Sequence, residues 1–168
     1  MPTTTIPAPT PVDKYTRRGT SIFLFVPTIT AQTMIPTRAE LTAGTNLSAA
    51  IAEVDGWTYE SQAIETPDMS DTFDSSIPGS DKAKDSGLTF YEDSSTNTLE
   101  ELLKKGTAGY VVILRKGDIP QSKSMDVFPV RVGSLAPVFS ADNEAAKFKV
   151  NFYVVRRPVQ GASVPAAS

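Results

Sequence analysis

Short apolar segments recur along the middle of the chain and predict a protein built mainly from strands. Residues 21–26 and 110–114 are continuous apolar runs, which favour strands buried on both faces. Residues 125–135 and 147–156 alternate between apolar and polar positions, so each predicts a strand with one face in the core. The inward-facing side chains of these two strands are Phe128, Val130, Val132, Phe148, Val150, Phe152 and Val154.

Two further strands and one ambiguous stretch complete the apolar pattern. Residues 57–65 and 88–93 have strand character, whereas residues 38–51 fit either a strand end or a short helical turn. Pro129 has no backbone donor, so the strand over 125–135 is expected to have an edge or a bulge at this point.

One helix is predicted over residues 98–105. Thr98 and Glu101 have the spacing of a capping box, in which each side chain accepts from the other residue's amide. The two lysines that follow the leucines suit the negative end of the helix dipole, and Gly106 suits the position just after the helix. A leucine face at helical spacing is expected to pack on a sheet; its members are Leu99, Leu102 and Leu103.

The connections between these elements set the fold class. Most are too short for the crossovers that parallel strands need, so antiparallel hairpins dominate. The sequence therefore predicts a mainly β fold, an antiparallel β-sandwich or half-open barrel with one flanking α-helix. The domain is expected over residues 18–158. Flexible arms are expected at 1–17 and 159–168, because these Pro-, Thr-, Ala- and Ser-rich ends can bury little apolar surface.

Residues 66–87 form a long acidic stretch without clear periodicity, and they are predicted to be the loop of a hairpin. One interpretation is a disordered, solubilising excursion. The other is an arm that orders against a neighbouring subunit, which Met69, Phe73 and Ile77 favour, because a purely solvating loop has no use for large apolar side chains.

Composition removes most enzymatic and metal chemistry. The chain has no cysteine and no histidine, so thiolates and the usual general base near neutral pH are missing. The evenly spaced Asp68, Asp71 and Asp74 fail the EF-hand pattern, because no glycine stands at its sixth position and no glutamate closes it. We therefore expect no enzyme activity, no metal and no cofactor.

Charge and hydropathy limit the partners. The net charge is −3, and no basic stripe of the kind that binds phosphate backbones is present. No apolar run is long enough to span a bilayer, so membrane insertion is not expected. No signal peptide is visible at the N-terminus, which predicts synthesis in a cytoplasm without export through such a peptide.

Taken in order, these segments resemble the major tail tube proteins of long-tailed bacteriophages. No single motif is diagnostic, and the resemblance lies in the order and spacing of several segments through most of the domain. They are residues 21–26, Glu40-Leu-Thr-Ala-Gly44, Asp55-Gly-Trp57, Glu65-Thr-Pro-Asp68, Ile77-Pro-Gly79, Leu88-Thr-Phe-Tyr-Glu-Asp93, the capped helix 98–105, Asp126-Val-Phe-Pro-Val-Arg-Val132 and Ala145-Ala-Lys-Phe-Lys-Val150.

The resemblance implies a structural virion protein of the phage tail, made in the host cytoplasm. Family members form hexameric rings, in which sheets of neighbouring subunits join around a lumen, and the rings stack into a tube that conducts DNA during ejection. The implied partners are other copies of the chain, tape measure and tail terminator proteins, and DNA in transient passage. The long loop and the terminal arms are expected to contact adjacent rings. The candidate inter-ring residues are Asp68, Met69, Asp71, Phe73, Asp74, Ile77, Asp81 and Asp85.

Three other interpretations stay open at this point. A monomeric β-sandwich could serve as a binding module on a virion or a secreted appendage. The tube of a contractile injection machine and a tail terminator share the same fold. An enzyme that uses carboxylates predicts two acids of raised pKa in one pocket, and no pair stands out in the sequence.

Overall fold

Antiparallel strands dominate the computed structural model, which describes residues 5–167. Seven strands pair in the order β2-β1-β7-β8-β9-β6-β3, with β10 added to β8, whereas β4 and β5 form a separate hairpin. The elements are β1 Ile22–Val26, α1 Arg38–Ala43, β2 Thr45–Asn46, β3 Ile51–Asp55, β4 Tyr59–Thr66, β5 Ser75–Ala83, β6 Ser86–Tyr91, α2 Thr98–Leu102, β7 Ala108–Leu114, β8 Met125–Val138, β9 Lys147–Val154 and β10 Val159–Ala162. The mainly β, antiparallel fold is confirmed, and the sheet does not close into a barrel within the described residues.

The core occupies both faces of the main sheet, because successive side chains of a strand point to opposite sides. On one face, Phe25, Val111 and Phe128 join the aromatic residues of β6 and β9 in the larger cluster. On the other face, Val112 and Val127 belong to a second cluster, which α1 and the C-terminal segment cover. The predicted burial of residues 21–26 and 110–114 on both faces is therefore confirmed.

The long strand β8 changes partners on one side. Its second half pairs with β9 from Val130 onward, whereas its first half pairs with β10. Pro129 lies at this change, where its carbonyl accepts from the Val155 amide at 3.0 Å. The N–H and C=O of one residue point to the same side of a strand. The side on which Pro129 has no N–H is therefore the side on which the partner of β8 changes from β10 to β9. A register shift follows between Val132 and Ser134.

The helices differ from the prediction in number and in capping. Residues 5–167 contain two short helices, and α2 ends at Leu102, so the lysines that follow it lie outside the helix. Asn97 is the residue before α2, and no side chain caps the helix, which contradicts the predicted capping box at Thr98. The capping box forms instead at Thr37 and Glu40, at the start of α1. The predicted packing of the leucine face is confirmed, since Leu103 is fully buried in the larger cluster.

The prediction of a long loop over 66–87 is also wrong, because most of these residues are in strands. β5 pairs with β4 along its length and leaves only residues 67–74 as the turn, and β6 begins at Ser86. β5 contains residues of low strand propensity, namely its serines, Pro78 and Gly79. Its pairing with β4 therefore holds it in the strand conformation.

The two ends of the chain behave differently. Residues 5–16 have no helix or strand and are exposed, whereas residues 1–4 of the predicted arm and residue 168 of the predicted tail lie outside the described part. The C-terminal segment is not a free tail: β10 pairs with β8, and Val164 is buried. Arg38 holds the segment by donating to the carbonyl oxygens of Pro165 at 2.7 Å and Ala166 at 3.3 Å.

Candidate assembly surfaces

The hairpin of β4 and β5 shares no ladder with the main sheet, and its side chains are mostly exposed. Ile64 and Ile77 stand opposite each other on one of its faces and are 51% and 52% exposed. At the end of the ladder the hydroxyl of Thr66 and the hydroxyl of Ser75 each donate to the other residue's carbonyl, at 3.1 and 2.9 Å. An exposed pair of isoleucines on a protruding hairpin is a surface suited to a partner.

The turn at residues 67–74 carries acidic groups and two unpacked apolar side chains. Met69 and Phe73 are 103% and 72% exposed. Asp68 accepts from both the amide and the hydroxyl of Ser70, and these hydrogen bonds, the hydroxyl first, lower the pKa of its carboxyl. The turn therefore presents negative charge and apolar surface together at the tip of the hairpin.

The structure spreads the eight predicted site residues along this hairpin rather than in one loop. Asp68, Met69, Asp71, Phe73 and Asp74 lie in the turn, Ile77 and Asp81 lie on β5, and Asp85 lies between β5 and β6. Asp81 faces the domain, where its carboxylate lies 3.3 Å from the guanidinium of Arg157. That guanidinium also lies 5.6 Å from the centre of the Tyr59 ring. The base of the hairpin is thus tied to the chain after β9, while its tip is free.

Trp57 anchors the hairpin to the core. Its indole packs edge-on against Phe128, with ring centres 5.3 Å apart, and its Nε1 donates to the carbonyl of Gly87 at 3.1 Å. The preceding Gly56 has φ +76°, and a Cβ there would lie 2.4 Å from the carbonyl oxygen of Asp85. Only glycine fits this close approach, so residues 56 and 57 fix the point where the hairpin leaves the domain.

Four strand segments form a second candidate surface, which we name the outer half-sheet: residues 133–138 of β8, β9, β6 and β3. The pairing of β7 with β8 ends at Arg131, so residues 133–138 pair only with β9. On the far side β3 pairs only with β6. Within the described chain, both outer edges of this half-sheet therefore lack a partner strand, and unpaired edges favour association with another chain.

One face of the outer half-sheet is bare and mostly polar. It presents Lys147, Lys149, Asn151 and Tyr153, whereas the alternate residues of β9 enter the larger core cluster. Lys149 Nζ lies 3.1 Å from the carboxylate of Asp55, and Lys147 Nζ lies 3.2 Å from that of Glu144. The hydrogen bond between Lys147 and Glu144 raises the pKa of the lysine and lowers that of the glutamate. The two lysines of this face are therefore each paired with a carboxylate.

Residues 5–167 show neither a metal site nor a membrane-spanning helix. No group of three or more acidic, histidine or cysteine side chains is placed to hold a metal ion there. No described helix has the length and hydropathy needed to cross a membrane.

Comparison with known families shows which family the chain belongs to. A family model described as phage tail tube protein matches residues 8–167. The chain belongs to the phage tail tube protein family. As a phage tail tube protein it is a structural component of the virion tail, and the resemblance drawn from the sequence is confirmed. The family is one of structural proteins rather than enzymes.

Solved structures with the same fold come from an extracellular contractile injection system and from the anti-feeding prophage. The chain is similar to a protein of the sheath/tube terminator of an extracellular contractile injection system, with 14% identity, 92% of this chain and 98% of the other covered, and a TM-score of 0.59. It is also similar to a chain of the six-fold symmetrised baseplate of the anti-feeding prophage, with 8% identity, coverages of 91% and 98%, and a TM-score of 0.57. A third similar chain, from the cap that terminates the anti-feeding prophage tube, has 17% identity, coverages of 96% and 100%, and a TM-score of 0.55. The search of curated proteins found no match.

Sequence reasoning missed three features of this tail tube protein. The strand β5 carries no apolar alternation, because both faces of its hairpin are exposed. Free sheet edges are expected of a hairpin-rich domain, but the sequence does not show which strands carry them, and only the alternation of Lys147 to Tyr153 signalled the bare face. The pairing of Lys149 with Asp55 joins residues of β9 and β3, which are distant in sequence and do not pair directly.

Proposed function

We propose that this chain forms hexameric rings that stack into a hollow tail tube, through which DNA passes during ejection. The observation that carries the proposal is the outer half-sheet with its two unpaired edges. Membership of the tail tube family and the fold shared with tube terminators and caps support the same assignment.

The directions of the strands allow the half-sheet to continue from one copy to the next. All pairings within it are antiparallel, so the edge segment of β8 and the edge strand β3 run in opposite directions. When β3 of one copy lies beside residues 133–138 of the next, the new pair is antiparallel as well. Because each copy contributes an even number of strands, a closed ring contains only antiparallel pairs. Closure also removes both exposed edges.

The size of such a ring fits a conduit. Four strands from each of six copies, spaced about 4.8 Å apart, give a backbone circle at least ~37 Å across before strand tilt widens it. Side chains on opposite walls shorten this span by roughly 10 Å, if each side chain occupies half of the spacing between packed sheets. The remaining width admits a DNA duplex.

The hairpin supplies the contact between rings in this proposal. Its tip carries Met69 and Phe73 away from the domain, and one face exposes Ile64 and Ile77. A contact that joins the hairpin of one ring to a different surface of the next does not close on itself, so it extends into a filament. Arm residues 1–17 are proposed to contact adjacent rings as well. The proposed partners at the ends of the tube are terminator and tape measure proteins.

Electron microscopy of the purified protein tests the assignment directly. Uniform hollow tubes, or six-fold rings at lower concentration, are the expected result. The alternative, a monomeric binding module, predicts a single monomeric species at every concentration, and that result would refute the proposal.

Proline substitutions in β3 test the edge that closes the ring. Consecutive residues of a strand point their amides to opposite sides, so in Glu53→Pro and Val54→Pro only one variant removes an outward-facing donor. That variant should keep the stability of the free subunit and fail to form rings. The other should lose stability, because its proline breaks the pairing with β6. If both variants form rings as readily as the unmodified chain, β3 is not a ring edge.

The turn of the hairpin can be shortened without touching its ladder. Thr66 and Ser75 are directly paired, so replacing residues 67–74 with Asn-Gly gives a two-residue turn of the kind that hairpins favour. We expect this variant to form rings that do not stack. Tubes of normal length from it would show that the tip has no role between rings.

A further inference from the structure

We propose that the bare face of the outer half-sheet is the wall of the lumen, and that Asp55 and Glu144 neutralise its lysines so that DNA slides past without being held. This inference rests on the proposed tube. It identifies which side of the sheet DNA meets and how that side is kept from binding it.

The side of the wall follows from where the rest of the subunit lies. The face of the half-sheet opposite the bare one packs into the larger core cluster, together with β1, β7 and the leucines at α2. When the half-sheets of several copies join into a closed wall, everything packed on that face lies on the same side of the wall. A hollow tube leaves space for this mass only outside, so the bare face lines the lumen.

The residues of the bare face suit a water-filled channel. Asn151 donates to the hydroxyl of Ser134 at 3.0 Å, and Tyr153 lies over Gly133, where an added Cβ would meet its ring at 2.2 Å. Among the described residues no large apolar cluster covers this face, in contrast to the part of the same side that α1 and the C-terminal segment cover.

The lysines on this face are the groups that would hold DNA. A ring repeats each of them once per subunit, and stacked rings repeat them along the tube, so unpaired lysines would present a regular array of positive charge to the phosphates. Affinity for DNA rises with each phosphate that is neutralised. The carboxylates of Asp55 and Glu144 lie 3.1 and 3.2 Å from Lys149 and Lys147, so each lysine already has an anionic partner.

These ion pairs are poorly explained by folding stability. All four side chains are partly exposed, and exposed pairs contribute little to the free energy of unfolding. Both ion pairs nevertheless lie on one face. A wall that does not attract a polyanion such as DNA needs its lysines neutralised, and this need accounts for the shared position of the two pairs.

Single cysteines locate the face, because the chain has no cysteine of its own. Asn151→Cys places a thiol on the bare face, and Lys105→Cys places one after α2, on the side that we assign to the outside. In tubes checked by electron microscopy, a bulky polymer-linked maleimide should label the cysteine at 105 and spare the one at 151, while both react in free subunits. Equal labelling of the two in intact tubes would place the bare face outside. Absence of tubes would instead count against the proposed function.

A charge substitution tests the neutralisation. The double variant Asp55→Asn with Glu144→Gln frees both lysines, whereas Glu101→Gln is the matched control, since it breaks the exposed pair with Lys104 on the outer side. The readout is the amount of a short fluorescent DNA duplex that sediments with the tubes at low and high salt. We expect at least about a tenfold rise for the double variant, lost as salt increases, and none for the control. Equal retention by all three proteins would overturn the proposal, as would strong retention by unmodified tubes.

Discussion

The exposed isoleucine pair of the hairpin gives the sharpest quantitative prediction. Ile64 and Ile77 are about half exposed in the free subunit, so a contact between rings can still remove the other half of each side chain from water. Full burial of an isoleucine contributes about 1.5–3 kcal/mol, so covering both remaining halves contributes ~1.5–3 kcal/mol per subunit. This corresponds to roughly 10- to 100-fold in the strength of each subunit's contact.

The double substitution Ile64→Thr with Ile77→Thr removes most of this apolar surface. Threonine keeps the β-branched shape, and a cross-strand pair of threonines still suits a ladder, so the hairpin itself should persist. Ile119→Thr is a matched control, because Ile119 is 50% exposed and lies outside every surface proposed to contact another copy.

The assay is the critical concentration for tube growth, measured by sedimentation together with electron microscopy. We expect the double variant to raise it by at least about tenfold, the control to leave it unchanged, and both to unfold within about 0.5 kcal/mol of the unmodified subunit. If the double variant assembles at the same concentration as the control, the isoleucine face does not lie between rings.

Three further predictions concern the free subunit. Leu103→Ala should lower the free energy of unfolding by about 2–5 kcal/mol in a denaturant titration, because this side chain is fully buried; a loss below 1 kcal/mol would contradict its place in the core. Removing residues 163–168 should cost about 1.5–3 kcal/mol through loss of the buried Val164, whereas removing residues 1–16 should cost nothing measurable; equal stabilities would contradict the packing of the C-terminus. Hydrogen bonds, first from the Thr37 amide and then from Thr30, lower the pKa of Glu40 from 4.5 to about 2. Its contribution to stability is therefore complete above pH 4.5 and lost as the pH falls through 2. Glu40→Gln should remove that part of the acid dependence, and an unchanged pH profile would refute the assignment.

The strands that a reader of the sequence can find are those that bury one or both faces. Apolar runs at β1 and β7 and the alternation in β9 reflect the core directly, and the structure places all three as predicted. β5 gives no such signal, since both faces of its hairpin meet water and its pairing depends on β4 alone.

The misplaced capping box has a tertiary cause. The spacing of Thr and Glu occurs both at Thr37 and at Thr98, and local rules favour neither. In the structure the Glu40 carboxylate also accepts from the amide and hydroxyl of Thr30, at 2.9 and 2.8 Å. This partner comes from the connection after β1, and the chain around Thr98 has no equivalent among its hydrogen bonds.

The isolation of the β4–β5 hairpin has a consequence for how fast filaments start. A two-stranded ribbon with no third strand is only marginally stable in water, so its amides should exchange with solvent far sooner than those of β7 or β8. The part of the subunit that we propose for the contact between rings is therefore expected to open more often than the main sheet. Two colliding rings make a lasting joint only when several ribbons are ordered at once, which predicts a lag before growth and rapid extension from any pre-formed end. A tail would then lengthen from its initiating complex, while free subunits remain dispersed around it.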